Sequence, residues 1–253
     1  MRRKIIFPVV CALVVIAAPA AAITYGQIDG NRHPQTGALV GTFSSGTYPY
    51  CSGALVSETV FVTAAHCDIG TDRVRVTFDS EYSSRAKLYR GTFYGHPEYT
   101  YSQDDPKDLA VVVFDRPIKG IVPARLPEAG LLDRMGLTQD SKFTAVGYGG
   151  TEPENQPGGP VISYPDVRMY SVSSFNSLNA SWLRLSQNNA TGDGGTCYGD
   201  SGGPNFIGAR STETTTIAAV TVTGDALCKA TNVTYRLDTP VARAFLGRFV
   251  ALP

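Results

Sequence analysis

An all-β barrel or sandwich is the fold class that this chain of 253 residues predicts. Short apolar runs recur between turn signals, Val74-Arg75-Val76-Thr77-Phe78 alternates with a period of two, and no long stretch before the C-terminus shows helical periodicity. A charged fraction of only 17% suits a chain whose strands bury one face.

The chain opens as a secretory signal does, with Arg2-Arg3-Lys4, an apolar core from Ile5 to about Ala18, and small residues at Ala20-Ala21-Ala22. Residues 1–22 are expected to be removed on export, so that Ile23 begins the mature chain. The apolar core is too short to span a bilayer comfortably and no later run approaches it, so an extracellular protein free of the membrane after cleavage is expected. The formal net charge is +0 over the whole chain and slightly negative without the basic leader. That balance gives no reason to expect a nucleic-acid partner or an anionic membrane. Of the five cysteines, Cys11 lies in the leader. Cys51, Cys67, Cys197 and Cys228 remain, and four cysteines allow three pairings.

In chain order, strands are expected at Gly37 to Val40, Gly53 to Val56, Val60 to Thr63, Val74 to Phe78, Leu88 to Phe93, Leu109 to Phe114 and Phe143 to Gly147. His33, in a polar turn before Pro34, reads as a surface residue. His96, beside Pro97 in a Tyr-rich loop, reads as a rim or structural residue. Pro117, Pro123 and Pro127 bracket an extended crossing at residues 115–128, and the proline-rich stretch from Thr151 to Pro165 reads as an exposed loop. Asn179, Asn189 and Asn232 head formal glycosylation acceptors. A helix is expected at the end: Thr239 caps, Pro240 suits the first helical position, and Val241, Phe245, Leu246, Phe249 and Val250 make one apolar stripe.

The chemistry concentrates in Cys197-Tyr198-Gly199-Asp200-Ser201-Gly202-Gly203-Pro204. A serine between glycines sits on a tight turn with its hydroxyl open to a substrate. Gly199 lets the backbone turn so that its N–H and that of Ser201 aim at one point, where they stabilise the oxyanion of acyl transfer. Such a nucleophile needs a base. All three histidines, His33, His66 and His96, precede Ser201, which removes the α/β-hydrolase order of Ser, Asp or Glu, His. His66 stands in Thr63-Ala64-Ala65-His66-Cys67, just past an apolar run, and Asp108 heads Leu109-Ala110-Val111-Val112-Val113-Phe114 at the mouth of a buried strand. Asp104, Asp105 and Asp115 lack that following strand in register and read as surface charges.

With the Ala-Ala-His-Cys, Asp-Leu-Ala-Val and Gly-Asp-Ser-Gly-Gly-Pro blocks in this order, the chain resembles a chymotrypsin-type serine peptidase from about Ile23 to its end. The resemblance implies two packed six-stranded antiparallel β-barrels with a C-terminal helix, in lobes of about residues 23–120 and 121–253. It implies a catalytic triad of His66, Asp108 and Ser201, an oxyanion hole at Gly199 and Ser201, disulfides Cys51–Cys67 and Cys197–Cys228, and an activating ion pair between the Ile23 ammonium and Asp200. Protein or peptide substrates, a monomer and no metal or other cofactor are what it leads one to expect.

The primary specificity pocket departs from the pattern. Trypsin-like members carry an aspartate six positions before the serine; here that position is Gly195, followed by Thr196. The wall strand reads Val222-Thr223-Gly224, with Val233 near a position often held by glycine. An uncharged, shallow pocket lined by Gly195, Thr196, Gly224 and Val233 is expected, favouring uncharged P1 residues, unless Asp193 swings in from two residues upstream. Val222 also removes a hydroxyl that would support Asp108, unless a one-residue slip brings in Thr221. The competing readings are an inactive peptidase homologue that binds without cutting, and an esterase using the same site.

Overall fold

A computed structural model describes residues 23–102 and 106–253. The expected signal segment, with Cys11, and the carboxylates Asp104 and Asp105 lie outside the described residues. After a two-residue strand Gln27–Ile28 (β1), the N-terminal half forms Thr36–Phe43 (β2), Gly46–Ser57 (β3), Val60–Thr63 (β4), Arg73–Thr77 (β5), Tyr89–Gly95 (β6) and Ala110–Phe114 (β7). These six pair antiparallel in the closed order β2-β3-β4-β7-β6-β5. Their alternation puts Leu39, Leu55, Phe61, Val76, Val112 and Phe114 in one core cluster, each such side chain contributing about 1.5–3 kcal/mol on burial.

The C-terminal half begins with a four-residue helix, Leu131–Arg134 (α1). It continues through Lys142–Gly147 (β8), Glu154–Gln156 (β9), Gly159–Val161 (β10), Met169–Leu178 (β11), Trp182–Ser186 (β12), Pro204–Ile207 (β13), Ile217–Gly224 (β14) and Thr231–Arg236 (β15), and ends with helix Pro240–Leu246 (α2). Strands β11-β12-β15-β14-β13-β8 close through the β8–β11 pairing into a second six-stranded antiparallel barrel, to which β1 adds at β11. The fold is the expected one: two six-stranded antiparallel barrels with a short C-terminal helix.

A single apolar cluster welds the barrels. Val56, Val62, Leu109 and Val111 from the first pack with Val146, Phe206, Val220 and Tyr235 from the second and with Ala242, Phe245 and Leu246 of α2. The Thr239 hydroxyl caps that helix by accepting the Ala242 N–H at 3.2 Å. Val241 departs from the expected stripe and faces solvent, because Ala242 occupies the buried position one residue on. The Thr151–Pro165 stretch is not all loop, since β9 and β10 pair there as a small hairpin.

Arg168, just before β11, is completely buried and joins the barrels by polar contacts. Its guanidinium donates to Asp29 Oδ2 at 2.8 Å and to the carbonyls of Thr36 and Phe78 at 3.0 Å and of Gly30 at 2.8 Å. The planar five-donor fork suits a pocket built from carbonyls and one carboxylate.

His33 is a correction: it is buried, not on the surface. Nδ1 is hydrogen-bonded to Asp29 Oδ1, Nε2 lies 2.7 Å from Glu213 Oε1, and the ring stacks on Phe206 at 5.4 Å. Burial alone would lower the His33 pKa, yet the hydrogen bonds to Asp29 and Glu213 hold it above the ordinary imidazole value. Asn232 is also buried, its Nδ2 donating to Asn205 Oδ1 at 3.0 Å, so this sequon is closed to glycosylation in the folded chain.

Candidate active site

His66 sits on a single 3₁₀ turn, Ala65–Cys67, that follows β4. The Cys51–Cys67 disulfide ties this turn to β3, with the Cα atoms 6.2 Å apart. Asp108 precedes β7, and the β4–β7 register pairs Thr63 with Ala110, which brings the histidine turn and the carboxylate side by side. His66 N–H donates to Asp108 Oδ1 at 2.9 Å, and His66 Nδ1 lies 2.6 Å from Asp108 Oδ2. An ionised carboxylate only accepts, so the proton resides on Nδ1 and the lone pair is presented at Nε2. Asp108 is 1% exposed, whereas the His66 side chain opens to the cleft.

The turn carrying Ser201 is anchored at its start by the Cys197–Cys228 disulfide, the second of the two expected bridges. Gly199 has φ +95° and Gly202 φ +78°, left-handed backbone that side-chain-bearing residues rarely adopt. The first barrel grips the turn through Ser52, whose N–H donates to the Ser201 carbonyl at 2.8 Å and whose hydroxyl donates to the Gly199 carbonyl at 3.0 Å. Nothing in the sequence marked Ser52; its role depends on β3 passing beneath a turn some 150 residues on. Among the described residues the N–H groups of Gly199 and Ser201 have no intramolecular acceptor, so both are free for an oxyanion.

His66, Asp108 and Ser201 line one cleft of about 440 Å³ between the barrels. Thr196 and Gly224 line it as well. Gly195 and Val233 do not, contrary to expectation: Val233 packs against the inter-barrel core, and the Gln187 side chain fills the space above Gly195. Asp193 stays away from the cleft, accepting from Ser174 at 2.5 Å and Thr191 at 3.0 Å with Lys142 Nζ at 3.5 Å. The Thr221 hydroxyl lies against the Asn205 carboxamide, whose Nδ2 donates to it at 3.1 Å, and not against Asp108, and Val222 packs in the same apolar cluster as Leu109. His96 lies against Phe245, ring centroids 5.1 Å apart. One group of potential metal ligands occurs among the described residues, Cys51, His66 and Cys67, and both its sulfurs are joined in a disulfide.

Asp200 points away from the cleft and is completely buried. Its carboxylate accepts the N–H of Gly149 at 2.7 Å and of Cys197 at 2.9 Å, and burial pushes its pKa up to about 7 despite these donors. A Cβ on Gly147 or Gly149 would collide with the carboxylate. Ile23 is buried next door, its N–H donating to the Gly150 carbonyl at 3.1 Å.

Among known proteins, the family model described as Trypsin matches residues 28–245. A trypsin of Phaedon cochleariae is 30% identical over 66% of this chain and 67% of its own length. A trypsin of Saccharopolyspora erythraea is 29% identical over 72% of this chain and 81% of its own, and the serine protease sp-Eoc49 of Echis ocellatus is 30% identical over 71% and 69%.

Proposed function

The chain belongs to the trypsin family of serine proteases, and on that premise we propose that it is a secreted endopeptidase that hydrolyses peptide bonds through Ser201, His66 and Asp108. The observation that carries the reading is the His66 ring, held by Asp108 at Nδ1 and sharing the cleft with Ser201. His66 Nε2 takes the Ser201 proton as the hydroxyl attacks the scissile carbonyl, and Asp108 stabilises the imidazolium that forms. The N–H groups of Gly199 and Ser201 receive the oxyanion. His66 then returns its proton to the leaving amine, and the ester left on Ser201 is hydrolysed by a water activated through the same base.

An unpaired cation is costly to bury. Among the described residues, the one carboxylate lining the cleft besides Asp108 is Asp225, and its oxygens already accept the N–H groups of Lys229, Ala230 and Thr231. Uncharged P1 residues are therefore favoured over Lys and Arg. The Ile23 ammonium, once signal cleavage frees it, pairs with Asp200; a buried carboxylate with a raised pKa beside a buried Ile23 supports that step. Among the described residues no helix is long and apolar enough to cross a membrane, and the two disulfides accord with an oxidising compartment.

Titration with a serine-directed phosphonyl fluoride tests the proposal. Stoichiometric labelling of Ser201 with loss of peptide cleavage is expected. A folded protein that neither labels nor cleaves is an inactive homologue, and ester turnover without peptide cleavage makes it an esterase.

A further inference from the structure

A second cavity, of about 600 Å³, adjoins the catalytic cleft. Tyr198 lines both, and its hydroxyl donates to the Ala226 carbonyl at 3.3 Å on the cleft side. The ring is therefore the partition between them. Gly199, whose N–H is one of the two free for an oxyanion, lines the second cavity as well. A scissile carbonyl held at Gly199 and Ser201 thus stands at the border of the two spaces. Its P1 side chain enters the cleft toward Thr196 and Gly224, and the leaving group emerges toward the second cavity.

This cavity is lined by Tyr48, Tyr50, Tyr164 and Tyr198, and Asp166 is its one charged residue among the described residues. Tyr164 and Tyr198 are both more than half exposed. Burial first, and then the neighbouring Tyr198 phenol, holds the Tyr164 pKa above its ordinary value, so the two rings stand close together. The Asp166 carboxylate has neither a donor nor a cation opposite it among the described residues, and burial alone raises its pKa above the ordinary value of 3.8. The other carboxylate raised in this way is Asp200, for which the Ile23 ammonium is the proposed partner. The backbone of Asp166 is fixed: its carbonyl accepts the Tyr82 N–H at 2.8 Å, the next residue, Val167, bridges to Glu81, and its φ of 57° is left-handed, which aspartate tolerates better than most residues.

We propose that this cavity takes a cationic side chain from the second residue of the leaving group (P2′), arginine before lysine, and that Asp166 is the residue that determines this choice. In an extended chain successive side chains point to opposite faces, so with P1 directed into the enzyme, P1′ points away and P2′ returns. A cation over the tyrosine faces gains a cation–π attraction, and opposite Asp166 it supplies the partner that the carboxylate lacks. Arginine is preferred because its planar, weakly hydrated guanidinium stacks on rings and pairs with a carboxylate at the same time. An acidic P2′ residue meets a like charge. An aliphatic one covers the carboxylate without pairing it. The acyl side of the substrate is therefore selected for neutrality and the leaving side for positive charge.

The inference rests on the endopeptidase reading, so the test has one arm that turnover does not enter. Peptides with P1 Leu that differ only at P2′, as Arg, Lys, Leu or Glu, are titrated by calorimetry into the Ser201→Ala protein, and the wild type is assayed on the same series. Tightest binding by the Arg peptide, and kcat/KM for P2′ Arg about fivefold above P2′ Leu, are the expected results for a cation site open on one side. Failure to label with phosphonyl fluoride alongside selective binding of the Arg peptide defeats the endopeptidase reading and leaves the cavity assignment standing. Labelling and cleavage without a P2′ preference in either arm, or with Leu preferred to Arg, overturns the cavity assignment.

Two variants locate the effect. Asp166→Asn keeps the size of the side chain and suits the left-handed backbone, and it should lower the Arg-to-Leu ratio of kcat/KM about threefold. Asp166→Lys should reverse the order of the Arg and Glu peptides, a gain for Glu that misfolding does not produce. An Arg preference that survives both variants places the anion elsewhere and overturns the proposal.

Discussion

His33 Nε2 and Glu213 Oε1 lie 2.7 Å apart, although 180 residues separate them in sequence. The contact ties the N-terminal segment to the loop between β13 and β14. Glu213 also accepts from Thr144 at 2.8 Å and pairs with Arg32 at 3.2 Å, while Asp29 holds the other ring nitrogen and is itself paired with Arg168. Burial would raise the Asp29 and Glu213 pKa values, but the His33 hydrogen bonds keep both below their ordinary positions of 3.8 and 4.5.

The pH dependence follows from these directions. The raised His33 pKa contributes stability that is complete below the unfolded imidazole value of about 6.5 and lost as pH rises through the folded value. The lowered carboxylates contribute stability present above their unfolded values and lost as pH falls through the folded ones. The cluster is therefore strongest between about pH 5 and 6.5. Urea unfolding of wild type and His33→Gln across pH 4–9 should give curves that converge toward alkaline pH. Curves parallel throughout would show that His33 is not protonated in the folded chain.

Arg168→Ala should destabilise by about 3–5 kcal/mol, because it removes the cation paired with the buried Asp29 carboxylate and takes away the donors to the Gly30, Thr36 and Phe78 carbonyls. The double variant Arg168→Ala, Asp29→Ala is expected to recover part of that loss, since the orphaned charge goes with it. Chemical denaturation measures both. A single variant within about 0.5 kcal/mol of wild type would mean that water replaces the guanidinium.

Ser201→Ala and His66→Ala should each abolish peptide turnover while leaving the unfolding midpoint within a few degrees of wild type, since neither side chain belongs to an apolar cluster. Asp108→Asn should lower kcat by about 10⁴ through the wrong imidazole tautomer. Steady-state kinetics on a peptide substrate decides, and substantial activity in any of the three removes that residue from the proposed triad.

Mature protein is expected to begin at Ile23 on N-terminal sequencing. Its ammonium beside Asp200 should pull that carboxyl well below the value of about 7 that burial alone imposes. Asp200→Asn should then cost turnover without touching the triad, and extending the chain by one alanine before Ile23 should do the same. Full activity in the extended protein would refute the ion pair.

The strand series from β2 to β8 was legible because each strand has a buried face and turn residues at its ends, signals that act over a few neighbours. The second barrel was less so: β11 to β15 mix Ser, Thr and Asn into their inward positions, which blurs the alternation. His33 misled for a related reason. A histidine in a polar turn is ordinarily solvated, and only the arrival of Glu213 and Phe206 from the far end of the chain buries it with a carboxylate at each ring nitrogen.

By itself, the sequence determined the barrel class and the blocks around His66, Asp108 and Ser201, because short-range geometry demands those residue types at those spacings. It also held the four cysteines that form the disulfides, although their pairing needed either the family resemblance or the fold. Tertiary structure alone decided what fills the space between the blocks: Ser52 gripping the Ser201 turn, Arg168 joining the barrels, and Gln187 filling the space above Gly195 where an ionisable group was the alternative. Each depends on a side chain reaching a partner on another strand, a distance set by barrel closure and invisible to any local pattern.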